Sequence, residues 1–174
     1  MKNKVIFLDR DGTLNEDYGY VYKEEDFHFI PGVFEALKKL LNLGYKLIVI
    51  TNQSGINRGL FNEKDLLNLN KYMINELKKN NISIEKIYYC PHTDADNCEC
   101  RKPKPGMLIK ASKDFNISLE NSWMVGDGNN DIKAGKAAGC KTVLVGKSNG
   151  DKPDMIVDSL KTAVKKIINL SGIC

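Results

Sequence analysis

Two aspartates one residue apart, at the end of a short apolar run, constrain this chain more than any other feature: Val5-Ile6-Phe7-Leu8-Asp9-Arg10-Asp11-Gly12-Thr13. A continuous apolar run bounded by turn residues suits a strand buried on both faces of a parallel sheet. Asp9 to Thr13 then lie at the strand's carboxyl end, where open α/β sheets hold their ligands. Side chains alternate along extended backbone, so Asp9 and Asp11 face one crevice while Arg10 turns the other way. Close carboxylates repel and need a cation or a shared proton. Mg²⁺ answers that need, because it takes one or two carboxylates together with substrate phosphate oxygens. An Asp carboxylate also serves as a covalent nucleophile in phosphoryl transfer. Taken alone, the motif is matched by an ordinary strand-ending turn, so the remaining chain has to decide.

Further strand ends repeat the pattern. A helix opens at Pro31-Gly32 and runs to about Leu43 with Val33, Leu37, Leu40 and Leu41 on one face, and Gly44 stands in the C′ position. Lys46 to Ile50 is a second buried strand, ending in Thr51-Asn52-Gln53-Ser54-Gly55, which offers hydroxyl and amide donors at the same sheet edge. Asn62 caps a helix to about Asn80, striped by Leu66, Leu69, Met73, Ile74 and Leu77, and Ile84 to Cys90 is a third strand. After a helix over Pro105 to Phe115, Ser122 to Val125 leads into Gly126-Asp127-Gly128-Asn129-Asn130-Asp131. Asp127 becomes a third carboxylate at the edge and a natural Mg²⁺ ligand, whereas Asp131 either caps the helix through Ala138, the more economical reading, or orients the metal's ligands. Lys141 to Val145, a short edge strand near Asp154 to Val157, and a terminal helix capped by Asp158 or Ser159 complete the chain. Strands alternating with helices indicate βαβ units and a mostly parallel sheet. Tyr22 reads as half-buried packing and His28 as structural.

Between the third strand and the following helix, Cys90-Pro91-His92 and Cys98-Glu99-Cys100 place three thiols and one imidazole in one loop. This set matches a closed, tetrahedral Zn²⁺ site, structural because no coordination position stays open. It leads directly into Arg101-Lys102-Pro103-Lys104-Pro105. Arg101 provides a fork for phosphate or hydroxyl, and Lys102 a point charge for a transferring phosphoryl group. Lys104 is expected only to be solvated, and Cys140 and Cys174 to be ordinary thiols.

With 174 residues, the chain is expected to form a single domain over residues 1–174. Its net charge of +4 is spread over scattered lysines, without the basic block of a nucleic-acid tail. Aromatic residues are not interleaved with a basic stripe, and carboxylates would line any groove, so a nucleic-acid-binding module is disfavoured. No apolar run reaches membrane-spanning length, and no signal peptide precedes Val5, so the expectation is a cytoplasmic protein with no membrane partner. In that reducing setting, five cysteines point to metal or free thiols rather than disulfides.

Asp9-Arg10-Asp11-Gly12-Thr13, Thr51 to Gly55, Lys102 and Gly126-Asp127…Asp131 follow the order of the four motifs of the haloacid dehalogenase superfamily. With the Cys/His loop joined to Arg101-Lys102-Pro103, the chain resembles the D,D-heptose 1,7-bisphosphate phosphatase family, kin of the histidinol-phosphate phosphatases. The resemblance implies a Rossmann-like sheet with helices on both faces and no large cap domain, the compact zinc loop doing part of a cap's job. It implies removal of the C7 phosphate of a heptose bisphosphate, in nucleotide-activated heptose biosynthesis, with histidinol phosphate or another small sugar phosphate as the alternative substrate. Asp9 would be the nucleophile, Asp11 the acid and base, and Thr51 and Lys102 the phosphoryl stabilisers. Mg²⁺ would sit on Asp9, the backbone carbonyl of Asp11, and Asp127; Zn²⁺ would sit on Cys90, His92, Cys98 and Cys100. Arg10, Asp17, Tyr18, Gly19, Tyr20, Asn52, Gln53, Ser54 and Arg101 are expected to bind substrate, and the enzyme to act as a monomer. Asp11 suits an alkoxide leaving group, which argues against dehalogenation. Many relatives carry Lys after the fourth-motif Asp, where this chain has Gly128, so a contact to the second phosphate is either missing or supplied by another residue.

Overall fold

The computed structural model describes residues 2–147, 150 and 152–170. Strands β1 (Val5–Leu8), β2 (Lys46–Asn52), β3 (Lys86–Cys90), β4 (Trp123–Gly126), β5 (Lys141–Val145) and β6 (Met155–Val157) form one sheet. Helices α1 (Val33–Asn42), α2 (Glu63–Lys79), α3 (Gly106–Phe115), α4 (Asn129–Ala138) and α5 (Leu160–Leu170) connect and flank them. The strand order is β3-β2-β1-β4-β5-β6, and every neighbouring pair is parallel. The chain therefore winds outward from β1 to β3, returns beside β1, and winds outward again from β4. Connections leave β1 and β4 in opposite directions, which opens a crevice at their carboxyl ends.

Burial explains why β1 is apolar throughout, since all four of its residues are fully buried. Ile6 and Leu8 pack with Leu37, Leu40, Leu69, Met73, Val164 and Ile167 of α1, α2 and α5. Val5 and Phe7 pack on the other face with Met107, Leu108, Ala111 and Ala134 of α3 and α4. Helices thus cover both faces. Each large apolar side chain buried this way contributes about 1.5–3 kcal/mol.

Local signals place the elements. The Asn62 side chain accepts from Asp65 N at 3.0 Å while Asp65 returns an acceptor to Asn62 N, closing both ends of a capping box. Ser159, rather than Asp158, caps α5 by accepting from Thr162 N at 3.2 Å. Ser122 falls just before β4, where its hydroxyl accepts from Val5 N at 2.9 Å and donates to Ser118 O at 2.7 Å. The connection from β1 to α1 folds back on the core through Leu14, Val21 and Phe27, and no separate domain interrupts the described residues. Tyr22 stacks on Phe61 at 5.0 Å, and His28 is exposed with its ring edge-on to Tyr18. Cys140 is buried among apolar neighbours, which push its thiol up to about 12; Cys174 lies outside the described residues.

Candidate active site

The crevice at the ends of β1 and β4 holds a cleft of about 330 Å³. Asp9, Asp11, Asp17, Thr51, Lys102, Asp127 and Asp131 are among the residues lining it. The backbone of Asp9 extends the ladder with a bond from its N–H to Val125 O at 2.9 Å. The chain then coils tightly, so that the N–H groups of Thr13, Leu14 and Asn15 all approach Arg10 O. Gly12, at φ +78°, is needed in this coil for two reasons: its backbone is left-handed, and a Cβ would stand 2.1 Å from Asp127 Oδ2.

Lys102 is the centre of charge balance. Its Nζ donates to Ile50 O at 2.8 Å and to Asp131 Oδ1 at 2.5 Å, and lies 2.9 Å from Asp9 Oδ1. Burial works against the ammonium, but Asp131 and Asp9 outweigh it and raise its pKa well above the ordinary lysine value. Asn52 fixes the lysine's backbone by donating to Lys102 O at 2.9 Å and accepting from Lys102 N at 3.1 Å. The Asp131 carboxylate reaches Lys102 because Gly126 has no side chain; a Cβ there would lie 2.2 Å from Asp131 Oδ2.

Asp11 is held on the opposite side. Gln53 Nε2 donates to Asp11 Oδ2 at 2.9 Å and to Thr51 Oγ1 at 2.8 Å. Having accepted that bond, the Thr51 hydroxyl keeps its own proton to donate into the cleft.

The lining includes five carboxylates, those of Asp9, Asp11, Asp17, Asp127 and Asp131, against the single ammonium of Lys102. Burial, reinforced by Asp131 and only partly offset by Lys102, pushes Asp9 up to about 8. Burial and Asp131 likewise push Asp127 up to about 6. Carboxylates destabilised in their charged form are suited to a divalent cation, and oxygens of Asp9, Asp127 and Asp131 all lie within 4.8 Å of one another. Both Asp131 oxygens are engaged, Oδ1 by Lys102 and Oδ2 by Gly128 N at 3.0 Å, whereas Lys102 meets Asp9 at Oδ1, which leaves Asp9 Oδ2 and Asp127 as the available donors.

A second ligand cluster lies in the loop after β3. The sulfurs of Cys90, Cys98 and Cys100 and His92 Nδ1 lie within 4.8 Å of one another. Individual separations run from 3.0 Å for Cys100 to Cys90 up to 3.5 Å for Cys90 to Cys98. Desolvation pushes the Cys98 thiol up, but the Arg101 N–H and neighbouring thiols pull it down to about 7. The donor set fits a closed metal site of three thiolates and one imidazole.

The structure brings together Asp9, Asp11, Asp17, Gly19, Tyr20, Thr51 to Ser54, Lys102 and Asp127 as expected. Three expected substrate-binding residues lie elsewhere. Arg10 is fully buried and grips Asp11 from behind the cleft. Tyr18 is 65% exposed and bonded to Glu16 on the outer surface. Arg101 is held by Asp94, with Nε 2.8 Å from Oδ1, and by His92 O at 3.1 Å, so it braces the metal loop instead of lining the cleft. Lys104, expected only to be solvated, also ties that loop by donating to Asn97 and Glu99.

Sequence reasoning weighed Asp131 as a helix cap or as a support for the metal's ligands and missed its pairing with Lys102, because nothing local reveals that Lys102 is buried and needs a second carboxylate. Gly128, noted in the sequence only for the Lys it replaces, is also on the lining, as is Asn130, which carried no signal beyond lying in the same turn as Asp127.

Residues 9–145 match the family model described as haloacid dehalogenase-like hydrolase. The chain is 48% identical to a D-glycero-alpha-D-manno-heptose-1,7-bisphosphate 7-phosphatase of Campylobacter jejuni, with 83% of each chain covered. It is 49% identical to a D-glycero-beta-D-manno-heptose-1,7-bisphosphate 7-phosphatase of Helicobacter pylori, covering 82% of this chain and 83% of that one. Among solved structures it is similar to the D,D-heptose 1,7-bisphosphate phosphatase of B. bronchiseptica complexed with magnesium and phosphate. That likeness has a TM-score of 0.88 at 30% identity, covering 96% of this chain and 99% of the other.

Proposed function

The chain belongs to the haloacid dehalogenase-like hydrolases, among the heptose 1,7-bisphosphate 7-phosphatases, and from that premise we propose that it frees the C7 phosphate through an aspartyl-phosphate at Asp9. It is a phosphoric monoester hydrolase acting on a heptose bisphosphate. The observation that carries the residue assignment is the convergence of Asp9, Asp11, Thr51, Lys102 and Asp127 on one cleft.

In this reading the terminal phosphoryl group sits between Asp9 and the donors Thr51 and Lys102. Asp9 attacks phosphorus, the bond from phosphorus to O7 breaks, and Asp11 gives O7 its proton. A water oxygen then attacks the aspartyl-phosphate and passes its proton to Asp11, and the bond to Asp9 breaks to release inorganic phosphate. Lys102 holds the phosphoryl oxygens while Asp131 keeps its ammonium in place. Asp9, the Asp11 backbone carbonyl and Asp127 would hold Mg²⁺, which when bound offsets the charge of carboxylates and phosphoryl oxygens. Zn²⁺ on Cys90, His92, Cys98 and Cys100 would fix the loop that delivers Lys102. Cysteines committed to a metal cluster suit a reducing compartment, the cytoplasm. No helix of the described residues is long and apolar enough to cross a membrane.

One observation favours a second reading. Asp17 lines the cleft, and an acid there could receive the amine of histidinol phosphate. Phosphate release from both anomers of the heptose bisphosphate and from histidinol phosphate, compared by kcat/KM, tests the assignment. A clear preference for a heptose anomer is expected; a preference for histidinol phosphate would reject it.

A further inference from the structure

We propose that Arg10, with Asn15, is a positioning residue that holds Asp11 in the orientation for proton transfer and decides which of its oxygens carries the proton. The proposal rests on Asp11 being the general acid and base, as read above.

Arg10 follows the nucleophile directly, yet its side chain leaves the cleft entirely and is 0% exposed. Its Nε lies 3.1 Å from Asp11 Oδ1, and its Nη2 lies 2.9 Å from each Asp11 oxygen. Nη2 also donates to Val21 O at 2.7 Å. Asn15, likewise 0% exposed, adds a bond from Nδ2 to Asp11 Oδ1 at 3.0 Å. Burying a guanidinium is costly unless it is paired, and the pairing here is with Asp11. Nη1 has no partner among the described residues, so the contacts that hold the guanidinium are those of Nε and Nη2.

The donors divide unequally between the two oxygens. Oδ1 receives Arg10 Nε, Arg10 Nη2 and Asn15 Nδ2, whereas Oδ2 receives Gln53 Nε2 and a share of Arg10 Nη2. A carboxylate oxygen offers about two lone-pair sites. Oδ1 is therefore saturated, and the exchanged proton belongs on Oδ2. Gln53, which lines the cleft, marks Oδ2 as the oxygen on the substrate side. In transfer to the leaving group, the bond from Oδ2 to hydrogen breaks and one from the substrate oxygen to hydrogen forms. The carboxylate that results is received by donors already in place.

A purely structural role is the competing account, because the Val21 contact also pins the segment carrying Asp17, Gly19 and Tyr20. The leaving group separates the two accounts. An alkyl phosphate expels a poor leaving group and needs the proton; p-nitrophenyl phosphate expels a stable anion and does not. The quantity to compare is kcat/KM, which reports only the steps up to leaving-group release. For Arg10→Lys, which keeps the buried cation and loses the fork, kcat/KM on a heptose phosphate should fall about 10²-fold. On p-nitrophenyl phosphate the loss should stay under about 10-fold. Asn15→Ala should show the same selectivity at smaller size, and it decides the matter if Arg10→Lys does not fold. Equal losses on both substrates would overturn the proposal in favour of a structural pin. Asp11→Asn is measured alongside: if it too lacks leaving-group selectivity, the general-acid reading itself fails; if it shows selectivity that the Arg10 and Asn15 variants lack, only the positioning role fails.

Discussion

Lys102 Nζ lies 2.5 Å from Asp131 Oδ1, and both side chains are buried to 3% exposure. The pair links the loop after β3 to the first turn of α4. It also sets how strongly Lys102 leans on Asp9, because the same ammonium serves both carboxylates. Asp131→Asn should keep the bond to Gly128 N and lose the charge. Removing one partner of a buried pair costs about 3–5 kcal/mol. With Asp131 gone, Lys102 should pair more tightly with Asp9 and blunt it as a nucleophile. Melting temperature and kcat should therefore both drop; a variant with a lowered melting temperature but unchanged kcat would limit Asp131 to the fold.

Asp9→Asn should abolish turnover while leaving the fold intact, since an amide cannot attack phosphorus and Lys102 keeps Asp131 as its counter-charge. Asp11→Asn should retain a small residue of activity, because general acid–base catalysis is worth about 10²–10⁴-fold. Circular dichroism and phosphate release on the purified variants provide the check. Substantial activity in Asp9→Asn would sink the covalent mechanism.

Metal analysis should find about one Zn²⁺ per chain, with metal–sulfur distances of about 2.3 Å by X-ray absorption. Cys98→Ser with Cys100→Ser should lose it, melt at lower temperature and turn over more slowly. The route of that effect is Lys102, which follows Cys100 by two residues and whose backbone is clamped by Asn52. Wild-type kinetics in a zinc-free double variant would refute this coupling.

The pKa values of Asp9 and Asp127, raised to about 8 and about 6, imply a definite pH dependence. Both lie above the ordinary value of 3.8, so the metal-free folded state binds more protons than the unfolded chain between these limits. Stability from these groups is complete below pH about 3.8 and is lost as pH rises through about 6 and then about 8. Mg²⁺ must displace those protons, so the stabilisation it brings should grow with pH. Melting curves with and without Mg²⁺ at pH 5 and pH 8 test this; a shift of the same size at both values would contradict it.

The apolar run before Asp9, the helix stripes and the turn residues between them determined the alternation of strands and helices, and thereby the sheet edge that bears Asp9, Thr51 and Asp127. These are local signals: period, caps and breakers act within a few residues. The metal loop was equally legible, because all four of its ligands lie close together in the chain. The partners of the charged side chains were decided only by the tertiary structure. Arg10 left the cleft for Asp11 because the coil at Gly12 brings the two side chains together. Arg101 met Asp94 because closure of the metal loop brings that carboxylate within reach. Asp131 became the counter-charge of Lys102 because Gly126 leaves room between β4 and the loop. Each outcome depends on which backbones approach one another across the sheet edge, and no period or spacing in one dimension encodes that distance.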